Sequence, residues 1–309
     1  GFITIPSELI FEIIEHPFFQ RLRQIKQLGL TSLIYPGALH TRFHHAIGSM
    51  YLMQQALLSL RSKKIEISDD EFEACLIAIL LHDIGHGPFS HTLEFNLLHD
   101  ITHEKISVLF FERLNNQFDG ALDTALEIFT NKYPRKFFHQ LVSSQLDIDR
   151  LDYLKRDSYF TGVSEGQIGS ERIINMLNVR NDEIVVEEKG IYSIENFLSA
   201  RRLMYWQVYL HKTVLSAEQM LVRTLQRAKT LARAGKSVEA SRSLNYFLHF
   251  DLEGEALQQE KNNLLQHFAS LDDFDVVAAL KTWQHNDDKV LRYLASSLIN
   301  RRLFKLSFQ

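Results

Sequence analysis

The sequence predicts a mainly α-helical bundle with one small β-hairpin and a helical C-terminal extension. Three observations point there. Only 13 glycines and 5 prolines interrupt the 309 residues, and these two types are the strongest helix breakers. Leu, Ile, Glu, Gln and Lys recur at helical spacing along most of the chain. One stretch, Glu183-Ile184-Val185-Val186-Glu187, carries a clear strand signal.

From the N-terminus, Ser7 is an N-cap candidate, with Ile10, Ile13 and Ile14 on the following apolar face. Pro17 suits the start of a second helix, Phe18 to Leu28, ending near Gly29. Tyr35-Pro36-Gly37 reads as a turn. His44 to Leu60 reads as a long helix with Ile47, Tyr51, Leu52 and Leu58 in apolar positions. Asp69-Asp70 precede a helix carrying Cys75 to Asp83, and Thr102 is an N-cap candidate for His103 to Leu114. Asp123 to Phe129 fits a short helix, and Phe138 to Leu154 a longer one with three aspartates. The strand at Glu183 is expected to turn at Lys189-Gly190 and pair with Ile191-Tyr192-Ser193. A long helix, roughly Ile194 to Ala234, follows. Gly235-Lys236-Ser237 breaks it, dividing a catalytic core (1–235) from a helical region packed on it (236–309, helical over Asn245 to Phe308).

The bulk composition narrows the function classes. Net charge is −4 with histidines neutral, which argues against a broad nucleic-acid surface and leaves room for a local basic pocket. Cys75 is the sole cysteine, so no intrachain disulfide forms and a reducing compartment is expected. The longest apolar run, Ala74 to Leu81, is too short to span a bilayer, and no signal segment opens the chain. The expectation is a soluble, cytoplasmic protein without a membrane partner. The abrupt ends, Gly1-Phe2-Ile3 and Phe308-Gln309, fit a piece trimmed from a longer parent.

The chemistry concentrates in Leu80-Leu81-His82-Asp83-Ile84-Gly85-His86-Gly87-Pro88-Phe89-Ser90-His91. An adjacent His-Asp pair at the end of an apolar helix is a poor core filler, because burying a carboxylate costs several kcal/mol unless it is paired or metal-bound. It is a good holder of a divalent cation, which takes imidazole nitrogen and carboxylate oxygen readily. Two further segments supply ligand candidates: Arg42-Phe43-His44-His45, and Asp147-Ile148-Asp149-Arg150-Leu151-Asp152-Tyr153. Convergence of His45, His82, Asp83 and Asp149 gives two nitrogens and two carboxylates, a set that suits Fe, Mn, Zn, Ni or Mg. Asp147 and Asp149, two apart, cannot share a helical face, so they have different jobs or one lies off the helix.

With these residues in hand the chain resembles the HD-domain phosphohydrolase superfamily. The segments Phe19 to Gly29, Pro36 to His45, Leu81 to His91 and Leu146 to Tyr153 are similar to the deoxynucleoside triphosphate (dNTP) triphosphohydrolases, both bacterial dGTPase-like proteins and a vertebrate enzyme joining a sterile-alpha-motif to an HD domain. The likeness runs on through Tyr209-Leu210-His211-Lys212-Thr213-Val214 to Arg301-Arg302-Leu303-Phe304-Lys305. It implies that water attacks the α-phosphorus of a dNTP, giving deoxynucleoside and inorganic triphosphate. It further implies a metal quartet of His45, His82, Asp83 and Asp149. Arg42, Arg150 and Arg201 match phosphate-contacting positions, although lysine is frequent in the family where Arg150 stands. His91 matches a proton donor to the leaving oxygen, with His86, His103 and Glu104 nearby in the pattern. Gln27 and Asp157 match residues that hold the deoxyribose 3′-hydroxyl, Tyr209 the aromatic that excludes a 2′-hydroxyl, and Tyr153 the same pocket. Tyr205 stands where the vertebrate enzyme has histidine. Glu15, Gln20 and Arg23 match a regulatory guanine-nucleotide site, with glutamate replacing aspartate. A homo-oligomer, tetramer or dimer, is also implied. Two other readings stay open: a phosphohydrolase of this fold acting on another nucleotide, and a nucleotide sensor without turnover.

Overall fold

The computed structural model describes residues 2–89, 102–249 and 260–306. Fifteen helices and a two-stranded antiparallel sheet make up this part. Helix α1 (Glu8–Glu15) begins at Ser7, whose hydroxyl accepts the Ile10 N–H at 3.2 Å, and it buries Ile10, Ile13 and Ile14. Helix α2 (Pro17–Gln20) tightens into a 3-10 turn over Arg21–Gln24 and stops well short of the expected Leu28. The chain pairs sideways instead: Arg42 N–H donates to the Ile25 carbonyl at 2.9 Å and Gln27 N–H to the His40 carbonyl at 3.0 Å. That pairing draws the segment carrying Gln27 to the start of α3 (Arg42–Ser62).

Helix α3 packs on α4 (Asp69–Leu81), the central helix, in which every residue from Ala74 to Leu81 is buried. Its continuous apolar run is what burial on all sides requires. Ser68 and Glu71 close a capping box at its start, so Asp69 and Asp70 lie within the first turn, where the helix dipole favours them. The buried stripe of α3 is Ala46, Met50, Met53, Leu57 and Leu60 rather than the expected one. Leu52 is buried and Ile47 half-buried, while Tyr51 and Leu58 face outward. Helices α5 (His103–Gln117, entered through Thr102), α6 (Asp123–Phe129) and α7 (Lys136–Val142) follow. The long helix expected over 138–154 is two helices: the chain breaks after Val142 and restarts as α8 (Ile148–Thr161), with Asp147 as its N-cap.

After α9 (Ser170–Met176), β1 (Leu177–Arg180) pairs with β2 (Glu183–Val186), from Leu177 opposite Val186 to Arg180 opposite Glu183. The partner of Glu183–Val186 therefore precedes it. Asn181 and Asp182 supply the turn with φ of 53° and 61°, the left-handed pair that a two-residue hairpin favours. Ile191-Tyr192-Ser193 opens α10 (Ile191–Met204) instead of forming a strand. A π-helical turn, Tyr205–Tyr209, and a break at Leu210 and His211 separate α10 from α11 (Lys212–Arg233). Gly235 follows in the left-handed region at φ 72°. The C-terminal helices are α12 (Arg242–His249), α13 (Lys261–Ala269), α14 (Asp273–Trp283) and α15 (Lys289–Ile299). Helix α15 packs along α11, and one apolar core runs from Ile10 to Leu298. Among the described residues no helix is long and apolar enough to cross a membrane.

Candidate active site and metal centre

Three helices bring the ligand candidates together. His45 lies on the first turn of α3, His82 caps the C-terminus of α4, and Asp149 lies on the first turn of α8. His45 Nε2 is 3.0 Å from Asp149 Oδ1 and 3.3 Å from His82 Nε2, and His82 Nε2 is 3.4 Å from Asp149 Oδ1. One ligand atom from each of the three lies within 4.8 Å of the others. The outer ring nitrogens are tied back. His45 Nδ1 meets Asp152 Oδ2 at 2.8 Å, and His82 Nδ1–H donates to the Ile79 carbonyl at 2.6 Å. Both rings thus turn Nε2 to the same point. Asp83 lies at the edge of this cluster, 3.4 Å from His82 and 3.7 Å from His45, with one oxygen on Arg42 and the other 3.2 Å from His86.

Charge is balanced inside the cluster. Burial alone would lower His45, but hydrogen bonds to Asp149 and Asp152 outweigh it and push it up to about 10. Burial likewise opposes protonation of His82, and Asp83 and Asp149 raise it regardless. Burial would raise Asp83 and Asp149, yet the facing histidines, with Arg42 at Asp83, hold both below the usual carboxylate range. His86 goes the other way: burial and the Arg42 charge bring it down to about 3, so it is neutral at physiological pH.

The cluster opens onto a pocket of about 520 Å³, within the range of small-molecule sites. Gln27, Arg42, Asp83, His86, His103, Asp149, Tyr153, Asp157 and Tyr209 all line it. His103 stacks on His86 with ring centroids 4.0 Å apart and reaches the exposed Glu104 at 3.3 Å. Asp157 is buried, with His40 Nε2 2.7 Å from one oxygen and Tyr209 O–H donating to the other at 2.8 Å. Arg150 and Arg201 are not on the lining. Arg150 turns back to Asp147 at 2.6 Å, and the Arg201 guanidinium carbon lies 5.6 Å from the Tyr205 ring centre. His91 falls outside the described residues. Of the residues matched to a regulatory site, Gln20 and Arg23 are bonded to each other at 2.7 Å, Arg23 lies 3.6 Å over the Phe43 ring, and Glu15 is exposed on α1.

The family model described as the HD domain matches residues 42–157, and the one described as an HD associated region matches 168–244. The uncharacterized protein YwfO of Bacillus subtilis is 37% identical, across 98% of this chain and 69% of that protein. The crystal structure of a phosphohydrolase from Bacteroides thetaiotaomicron has a TM-score of 0.96 and 54% identity, covering 99% of this chain and 75% of that one. The chain belongs to the HD-domain phosphohydrolase family. The deoxynucleoside triphosphate triphosphohydrolase SAMHD1 homolog of Dictyostelium discoideum is a more distant relative, 30% identical over 77% of this chain and 50% of that protein.

HD domains bind divalent metals, and the donor set of this HD site fits one. Two imidazoles with anchored outer nitrogens and a shared carboxylate are the arrangement that presents lone pairs to a cation. The supporting residues escaped the sequence reading. Asp152 orients His45 and is itself gripped by Arg156 at 2.8 and 2.7 Å. Gly48 makes room for that pair, since a Cβ there would fall 1.9 Å from Arg156 Nη2. Ser107 ties the loop after His82 by accepting Gly85 N–H and donating to the His82 carbonyl, both at 3.0 Å. The i, i+3 and i, i+4 spacing of Asp149, Asp152 and Arg156 was the available signal for the first pair; nothing local marked Ser107. His44, the neighbour of His45, is a capping residue whose Nδ1 accepts the Thr41 N–H at 3.1 Å.

Proposed function

We propose that this protein is a metal-dependent dNTP triphosphohydrolase, releasing deoxynucleoside and inorganic triphosphate by water attack at the α-phosphorus. The observation that carries the reading is the adjacency of the His45, His82 and Asp149 cluster to a pocket walled by Gln27, Arg42, Tyr153, Asp157 and Tyr209. Relatives named as dNTP triphosphohydrolases support the substrate class. A divalent ion, Fe, Mn, Zn, Ni or Mg, held by His45, His82, Asp83 and Asp149 would polarise the α-phosphate and acidify its water.

The chain supplies the rest. Arg42 offers positive charge beside Asp83; Arg150 and Arg201, off the pocket lining, each keep a buried Nε group without a partner, donors suited to phosphate oxygens once the side chains turn inward. Gln27 Oε1 is buried without a partner on the pocket wall and accepts a sugar hydroxyl there. Asp157, held in place by His40 and Tyr209, accepts the 3′-hydroxyl. Tyr209, fixed through its own hydroxyl, crowds the space of a 2′-hydroxyl. The water oxygen bonds to phosphorus as the P–O5′ bond breaks, the water gives up a proton to solvent, and O5′ takes a proton from a histidine that solvent then reprotonates. His91 and His103, the latter beside Glu104, are the assigned donors. His86, neutral, orients Asp83. The catalytic core is assigned to 1–235 and the packed helical region to 236–309, in a cytoplasmic homo-oligomer, dimer or tetramer.

The test is to incubate metal-loaded protein with each dNTP and identify the products. Tripolyphosphate and deoxynucleoside are expected. Pyrophosphate with deoxynucleoside monophosphate, or no turnover with any dNTP, overturns the reading. Repeating the assay with added GTP or dGTP tests Glu15, Gln20 and Arg23 as an activator site, and an unchanged rate removes it.

A further inference from the structure

Three acids crowd the start of α14, and two of them are explained by the helix itself. Asp272 is the N-cap, accepting the Phe274 N–H at 2.8 Å, and Asp275 closes the capping box by accepting the Asp272 N–H at 2.9 Å. Asp273 has no part in the cap. It is buried, and its carboxylate turns inward to two backbone amides from distant parts of the chain. Oδ2 accepts the Lys26 N–H at 3.0 Å and Oδ1 accepts the Phe89 N–H at 3.3 Å.

Those amides belong to two walls of the nucleotide pocket. Lys26 precedes Gln27 and bridges Thr41, which precedes Arg42; Gln27 and Arg42 both line the pocket. Phe89 lines it too, at the end of the loop that carries His82, Asp83 and His86. Its φ is 53°, a left-handed conformation that costs a bulky side chain free energy and persists only where surroundings enforce it. Gly29 faces it closely, its Cβ position 3.7 Å from the Phe89 Cα. The same loop is held from behind by buried Arg21, which donates to the His86 carbonyl at 2.6 Å and lies between the Phe110 and Phe268 rings. Asp273 and Phe268 both lie beyond residue 244, outside the two matched family regions.

We propose that Asp273 is a positioning residue that fixes the spacing between the Gln27 wall and the Phe89 wall, so that the C-terminal helices set substrate fit in the HD pocket. Asp273 does not line the pocket, so its effect passes through the two backbone segments it joins. A carboxylate suits this task because it accepts two N–H groups at once, and charge-assisted acceptance is stronger than that of a neutral group. The substrate half of the proposal rests on the reading of the pocket as a dNTP site.

The experiment compares Asp273→Asn and Asp273→Ala with Asp275→Ala, which weakens the start of the same helix without touching the pocket. Amide hydrogen exchange over the peptides containing Lys26 and Phe89 is read first, in metal-loaded protein. At least tenfold faster exchange in Asp273→Ala, a smaller gain in Asp273→Asn and none in Asp275→Ala are expected. Steady-state hydrolysis of a dNTP is read second. A tenfold or larger rise in KM with a smaller change in kcat is expected for Asp273→Ala, with partial recovery in Asp273→Asn and unchanged metal affinity. Unaltered exchange in both Asp273 variants, or unaltered KM in variants whose exchange has risen, overturns the proposal. Where Asp273→Ala fails to fold, Asp273→Asn carries both readouts. If the wild-type protein turns over no dNTP, the functional reading falls, while the exchange arm still decides whether Asp273 holds the two walls.

Discussion

His45 lies fully buried between Asp149 and Asp152, and without a cation these carboxylates keep its proton despite the opposing effect of burial, to about 10. A metal ligand must be the neutral ring, so proton and cation compete for Nε2. The sign follows: below about pH 10 the proton must leave before the cation enters, and affinity rises with pH across the neutral range. Calorimetric titration with Mn²⁺ or Zn²⁺ between pH 6 and 9 should show tighter binding at each step up in pH, with protons released to the buffer. A flat profile would contradict the assignment. Asp152 acts one atom further out, on the His45 Nδ1 side. Asp152→Asn keeps the shape, removes the charge and should weaken metal affinity by about 10- to 100-fold, measured by the same titration, with the helical circular dichroism unchanged.

The helix starts decide where the ligands point. Asp147 stands off the front of α8 and its two oxygens accept the backbone N–H groups of Arg150 and Ser144, each at 2.8 Å, while Asp149, two residues on, faces the metal cluster. Asp147→Ala should cost about 1–2 kcal/mol in urea unfolding and also weaken metal binding, because the frayed turn carries Asp149. A loss of stability with unchanged metal affinity would separate the two. The sequence made this division of labour legible: residues two apart cannot share a face, so Asp147 and Asp149 had to differ. It also marked Ser7, the Tyr35–Gly37 turn, the helix Asp123–Phe129 and the break at Gly235 through local chemistry. It misread whatever depends on distant partners. The apolar pattern from Phe18 onward looks helical, but pairing with His40, Thr41 and Arg42 pulls Ile25 and Lys26 into an extended path. Val185 and Ile191 look equally strand-like, and the turn lies at Asn181-Asp182. At the site, ligand types were readable from His82-Asp83, whereas Ser107 and Asp273 act through backbone atoms that no motif marks.

At the scale of the whole molecule, the C-terminal helices meet the core through a buried acid. Burial raises Asp273 to about 6 from an ordinary value of 3.8, the Lys26 and Phe89 amides only partly offsetting it. The folded protein therefore holds this proton more tightly than the unfolded chain. The stability linked to it is fully present below about pH 4 and is lost as pH rises through about 6. The stability of the wild type relative to Asp273→Asn, which does not titrate, should accordingly rise on going from pH 7.5 to pH 4.5, by on the order of 2 kcal/mol. Urea unfolding at the two pH values measures it, and a gap independent of pH would rule it out. Taking the difference isolates this side chain from Asp83, Asp149 and Asp152, which are shifted in the opposite direction. A separate consequence comes from the pairing of Arg42 with Asp83 and Arg156 with Asp152. With the His45 imidazolium they counterbalance Asp83, Asp149 and Asp152 from within, so the scaffold does not depend on its inorganic occupant to stay assembled. Dialysis against a chelator should then leave a dormant but folded protein, its helical circular dichroism kept, its melting point lowered only by the lost binding free energy, and its turnover restored on adding the ion back.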